Sequence, residues 1–267
     1  MSLVLRRDAD GVATLTLNRP QKLNAITRGM MIELEAHLHD IAADPSVGCV
    51  CLTGAGRCFS AGHDMAETGR TGKVREGHSD AEIIDLLEQL PQPTIAAVHG
   101  YCFTGGLELA LGCDLFVAAE SAQFADTHGT WGLVPIWGMS VRLPERVGRA
   151  RALDLAFTAR RVDGQEAAAI GLADRCVPDD ELAVSAAALA AQIVASSWSA
   201  SRMVKRLYHE QSAMPRAAAL GYERTRPYGL PLTTRSGDSN GHRFRATPTA
   251  PRDEHRCARR GTASVLR

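Results

Sequence analysis

The chain has 267 residues, enough for one large domain or one domain with a small appendage. Hydrophobic residues make up 45% and charged residues 22%, an ordinary globular mix, and a formal net charge of zero gives no bulk attraction to nucleic acid or an anionic membrane. Seven cysteines (Cys49, Cys51, Cys58, Cys102, Cys113, Cys176 and Cys257) stand mostly inside apolar runs without CxxC pairs, the pattern of reduced thiols in a cytoplasmic protein rather than of a disulfide framework or zinc site.

No apolar run approaches the roughly 20 residues of a membrane span, and "MSLVLRRDADG" alternates like a strand rather than a secretion signal. "LVLRRDADGVATLTLNR" reads as two short strands joined at Asp8–Gly11. Thr27 can cap a helix reaching about Asp40, with Met31, Leu34, Leu38 and Ile41 on one apolar face. "VGCVCLTG" is a buried strand, followed by the glycine-studded loop "GAGRCFSAG". The polar, Gly-rich stretch from Glu67 to Ser79 is expected to be mobile.

A helix over Asp80–Leu90 ends at "PQP"; a strand "TIAAVHG", a helix from Gly105 and a strand "DLFVAAE" follow. This order predicts an α/β core of sheet and helix layers. From Trp137 onward the pattern is helical. Asp163 with Glu166 has the form of a capping box, Gly171 can end that helix, and "ELAVSAAALAAQIVAS" and "SASRMVKRLYHEQSA" are two more. From about Arg224 to Arg267 the apolar period is lost, and Arg, Thr, Pro and Gly give the composition of a loosely ordered tail. Its arginines lack the interleaved aromatics of a nucleic-acid arm.

The stretch "HGYCFTGGLELALGCDL" is the candidate for chemistry. Gly105 and Gly106 sit where a strand turns into a helix, whose first N–H groups have no intrahelical acceptor. Without a Cβ, a ligand atom can approach that backbone, and the N–H groups suit an oxygen that gains charge during reaction. Glu108, in the first turn, is then placed to act as acid or base. The same residues also fit a plain packing role: glycines for close approach, Glu108 as a helix-start acid. Other glycine-loop and metal patterns fit less well. G-x-G-x-x-G, GK[ST] and G-x-S-x-G are missing from these loops, and His37 and His39 in "HLHD" point to different helix faces.

Four blocks in order, "LNRPQKLNAIT", "GAGRCFSAGHDM", "PTIAAVHGYCFTGGLELALGCDLFVAAESAQFA" and "GLVPIWGMSVRLPERVG", make the chain resemble the enoyl-CoA hydratase/isomerase (crotonase) superfamily from about Leu3 to Tyr222. The resemblance implies a crotonase-like (ClpP/crotonase) α/β spiral of repeated ββα units with a helical C-terminal region. It divides the chain into an acyl-CoA-binding core (1–195), a C-terminal helical region (196–223) and an atypical tail (224–267). It also implies a lyase of fatty acid metabolism, adding water across the 2,3 double bond of an enoyl-CoA. The oxyanion-hole donors would be the backbone N–H groups of His63 and Gly105, and Glu108 would match the first of two hydratase glutamates. Lys22, Leu23, Ala25, Ala61, Asp64, Met65 and Ala66 match positions that hold coenzyme A. The CoA belongs to the substrate, so no separate cofactor or metal is expected, and the implied assembly is a homotrimer or a dimer of trimers.

Two features depart from the pattern. His128 stands where the second glutamate belongs; an imidazole exchanges protons near neutral pH and can replace that acid, or it can simply pack. Asp126, two residues away, is a further substitute. Decarboxylation, thioester hydrolysis or non-catalytic acyl-CoA binding are the alternatives this leaves open. The tail shows no family-like final helix, and its Arg, Pro, Gly and Thr are what a shifted frame in GC-rich coding DNA yields.

Overall fold

A computed structural model gives the structure of residues 2–66 and 79–225. The stretch expected to be mobile lies outside the described residues except for Ser79, as does the tail beyond Thr225. Strands β1 (Val4–Ala9) and β2 (Val12–Leu17) pair antiparallel, from Val4 opposite Leu17 to Ala9 opposite Val12. Their turn places Asp10 at φ 51° and Gly11 at φ 78°, the doubly left-handed geometry that an Asp-Gly pair favours. Helix α1 (Arg28–Ala43) starts at Thr27, whose side chain accepts the Met30 N–H, and buries Met30, Met31, Leu34, Leu38 and Ile41.

The chain continues through β3 (Cys49–Gly54), α2 (Asp80–Glu88), β4 (Thr94–Val98), β5 (Tyr101–Phe103), α3 (Gly105–Leu111), β6 (Leu115–Ala119) and β7 (Gln123–Ala125). Helices α4 (Met139–Val147) and α5 (Arg149–Thr158) follow, then β8 (Val162–Asp163), α6 (Gly164–Ala169), β9 (Arg175–Val177), α7 (Leu182–Val194), α8 (Trp198–Gln211) and α9 (Arg216–Thr225). The larger sheet runs β1-β2-β3-β4-β6-β9, parallel from β2 onward. Strand β4 is buried along its whole length and β3 nearly so, which explains their unbroken apolar runs: a parallel strand covered on both faces has no polar side to show.

A second, smaller ladder holds β5, β7 and β8. Single parallel bridges extend it, Ser60 to Cys102 and Ile26 to His63. The expected ββα spiral is therefore present. Each turn places a strand in the large sheet, a short extended piece in the small ladder, and then a helix: β2, Ile26, α1; β3, residues 60–63, α2; β4, β5, α3; β6, β7, α4. Stacking these turns brings His63, on its rung, and residues 104–108 and 126–128, just past theirs, to the same end of the ladder.

The region read as wholly helical holds two short strands, β8 and β9, too brief to impose a period of two on the sequence. At α6 only half of the expected capping box forms. Asp163 accepts the Glu166 N–H at 2.8 Å, but the Glu166 carboxylate turns to Arg160 at 2.7 Å. Gly171, at φ 82°, closes that segment as expected. Helix α9 reaches Thr225, so Arg224 and Thr225 are helical where the tail was expected to begin.

Candidate functional site

Thr104 makes the bend between β5 and α3 at φ 48°, a costly conformation for a β-branched residue. It is held there by its N–H on Ala125 O at 2.9 Å and by a hydroxyl contact with Thr127 on the next turn of the spiral. The bend delivers Gly105 as the first residue of α3, where its N–H has no intrahelical acceptor. A Cβ built on Gly105 would lie 3.2 Å from His63 N and 2.8 Å from the Trp137 ring. Glycine is thus required here by space, and the two backbone nitrogens expected to act together are neighbours. His63 is set by its own rung: Ile26 N–H donates to Gly62 O, and Asp64 N–H to Ile26 O, both at 2.8 Å.

Glu108 sits one turn into α3 and is 2% exposed. Its Oε1 accepts the Trp137 N–H at 2.9 Å and the Met139 N–H at 3.3 Å. Its Oε2 lies 3.7 Å from His128 Nε2. On the far side of the imidazole, Nδ1 is 2.6 Å from Asp126 Oδ1, which also accepts the His128 backbone N–H at 3.2 Å. Burial drives the Glu108 carboxyl above its ordinary range, against the pull of the His128 charge and the two N–H donors. For His128 burial pulls downward, but the Asp126 hydrogen bond and the charges of Glu108 and Asp126 outweigh it, and the imidazolium is held above its ordinary range. His128 thus lies between two carboxylates, hydrogen-bonded to Asp126 and 3.7 Å from Glu108.

The turn that carries the two N–H donors is anchored from behind. Arg142, on α4, donates from Nη1 to Trp137 O at 2.9 Å while its Nη2 donates to both Asp85 and Glu88 on α2, each at 2.5 Å. Sequence reasoning missed this clamp and the donors of Trp137 and Met139, because backbone contacts between distant segments leave no motif. Asp126 was seen only as a substitute acid; the D-x-H spacing just after a strand was the available sign that the two side chains share a face.

The expected CoA residues fall on two segments that the structure knits together. Ala61 N–H donates to Leu23 O at 2.9 Å, and the Arg19 guanidinium joins Ala25 O at 3.1 Å to the Asp64 carboxylate at 2.5 Å. Buried Asn24 locks the first segment, donating to Ala55 O and Cys58 O at 2.8 Å each. Lys22, Met65 and Ala66 are exposed beside them. The Arg19 hydrogen bond holds the Asp64 carboxyl below its ordinary range, so its charge is already engaged within the protein. His37 and His39 do point apart, His37 towards Val4 O and His39 towards Glu35.

The family model described as enoyl-CoA hydratase/isomerase matches residues 7–233. The chain belongs to that family. It is 36% identical over 196 residues to the mitochondrial enoyl-CoA hydratase of Pongo abelii, covering 73% of this chain and 67% of the relative. Among solved structures, the enoyl-CoA hydratase of Bacillus anthracis superposes with a TM-score of 0.77 at 34% identity, over 83% of this chain and 88% of that one. A Thermobifida fusca relative solved in complex with acetoacetyl-CoA gives a TM-score of 0.76 at 33% identity, over 84% of this chain and 92% of that one. The crotonase fold expected from the four sequence blocks is therefore the fold of this family member.

Proposed function

We propose that the protein is an enoyl-CoA hydratase in which His128 takes the place of a second carboxylic acid. The observation that carries this reading is the 3.7 Å approach of His128 Nε2 to Glu108 Oε2, with Asp126 on the opposite imidazole nitrogen. The thioester oxygen sits at the N–H groups of His63 and Gly105, and the CoA moiety lies along Lys22, Leu23, Ala25, Ala61, Met65 and Ala66. Two amides already hold Glu108 Oε1, which leaves Oε2 for chemistry.

Ionised Glu108 takes a proton from water as the water oxygen bonds to C3. The C2=C3 electron pair moves to form the enolate, whose oxygen gains charge at the two N–H groups. The His128 imidazolium, stabilised by Asp126, then gives its Nε2 proton to C2. Glu108 finally returns the proton it took to His128, and both groups are reset. A raised imidazole favours the charged acid, and a raised carboxyl makes Glu108 a stronger base once ionised.

The reading includes a homotrimer or dimer of trimers. It is supported by the family resemblance and by apolar surface at Trp131, Val134, Ile136 and Phe157, the last 81% exposed. The deciding experiment follows loss of the conjugated enoyl absorbance of crotonyl-CoA, with CoA binding measured in parallel. Hydration at a rate well above the uncatalysed one supports the proposal; tight binding with no hydration of crotonyl-CoA or longer enoyl-CoAs sinks it.

A further inference from the structure

The Trp137 side chain has no part in the proton transfers, yet it packs against the same site. Its backbone is fixed from both sides, the N–H on Glu108 and the carbonyl on Arg142. From there the indole turns back over α3. Its Cζ3 would lie 2.8 Å, and its Cε3 3.2 Å, from a Cβ on Gly105, the residue whose N–H is to face the thioester oxygen. The His63 ring meets the indole edge-on at 5.2 Å, and Trp137 as a whole is 7% exposed. The two oxyanion donors, the Glu108 carboxylate and the Trp137 residue therefore lie side by side.

With the thioester oxygen at the N–H pair and C2–C3 beside Glu108 and His128, acyl carbons beyond C3 that turn towards Trp137 meet the buried indole. A ring packed at interior density yields little: added methylenes must displace it or stay out. We infer that Trp137 sets the upper limit on acyl length, so that the substrates are short-chain enoyl-CoA thioesters. The inference rests on the acyl-CoA reading above and assigns the size of its substrate.

Titration calorimetry with butyryl-, hexanoyl- and octanoyl-CoA on the wild type, Trp137→Ala and Trp137→Phe reads the wall without any chemistry, because saturated chains cannot be hydrated. A methylene that finds apolar cover is worth roughly fourfold in affinity. The wild type should gain nothing, or lose, from butyryl to octanoyl. Trp137→Ala should gain roughly fourfold per methylene until the new space is filled, with Trp137→Phe between them. Should Trp137→Ala not fold, Trp137→Phe carries the comparison alone. The same length profile in wild type and folded variant overturns the wall and leaves the acyl-CoA reading standing. Failure of the wild type to bind any of the three removes that reading, and the wall with it.

Discussion

Asp126 and His128 are joined twice within three residues: one carboxylate oxygen, Oδ1, lies 2.6 Å from the imidazole Nδ1 and accepts the His128 backbone N–H at 3.2 Å. The arrangement fixes the ring plane and assigns the Nδ1 proton to the Asp126 side, so Nε2 faces Glu108. A buried carboxylate in this position also stabilises the imidazolium that must form.

Asp126→Asn keeps the shape and removes the charge. Turnover of enoyl-CoA should fall by on the order of 10²–10⁴-fold with thioester affinity little changed. Nitrogen-15 spectra of the His128 ring should show its titration moved to lower pH. An unmoved titration with normal turnover would mean that Asp126 only packs.

Glu108→Gln preserves size and the contacts to the Trp137 and Met139 amides through its carbonyl oxygen. Its kcat should drop by roughly 10²–10⁴-fold while Kd for a saturated acyl-CoA holds. In the wild type the two limbs of the pH–rate profile should lie above the ordinary carboxyl and imidazole ranges, since both groups are held high. Normal turnover by the glutamine variant would exclude the carboxylate from proton transfer.

His128→Glu restores the residue expected of the family, but in this structure it sets two carboxylates against each other at the Asp126 position. Like charges at that distance cannot both ionise readily. The single variant should therefore hydrate poorly, and the His128→Glu, Asp126→Asn double variant should recover activity with a profile moved towards carboxylate values. Equal activity in single and double variants would show that Asp126 does not govern the site's charge.

Stability should carry the same signature. Glu108 and His128 both bind their protons more tightly folded than unfolded, so the unfolded chain loses its protons first as pH rises. The stability that each contributes is full below its ordinary value, 4.5 for the carboxyl and 6.5 for the imidazole, and is lost as pH climbs through the higher folded value. Urea midpoints at a series of pH values should fall more steeply for the wild type than for Glu108→Gln or His128→Gln across that rise. Parallel curves would contradict the assigned directions.

Much of the large sheet and of α1 was legible because each element satisfies a local rule: Asp-Gly at the first hairpin, Thr27 at the cap, unbroken apolar runs in β3 and β4. Gly105 and Glu108 could be found for the same reason, since a bare bend and a first-turn acid lie within four residues. The second ladder was not visible, because at Ile26–His63 and Ser60–Cys102 it consists of single bridges with no period to detect. Trp137 reads as an ordinary apolar residue until the spiral closes it over Gly105. Arg142 reads as a surface charge until α2 supplies Asp85 and Glu88.

The spiral has a consequence for any attempt to cut the protein down. Thr104 N–H is secured by Ala125 O, the Glu108 carboxylate by amides at Trp137 and Met139, and His63 by Ile26, so each reactive group is oriented by a segment from elsewhere in the chain. The peptide "FTGGLELA" keeps Gly105 and Glu108 and none of the partners that aim them. Function here is indivisible at the level of the fragment.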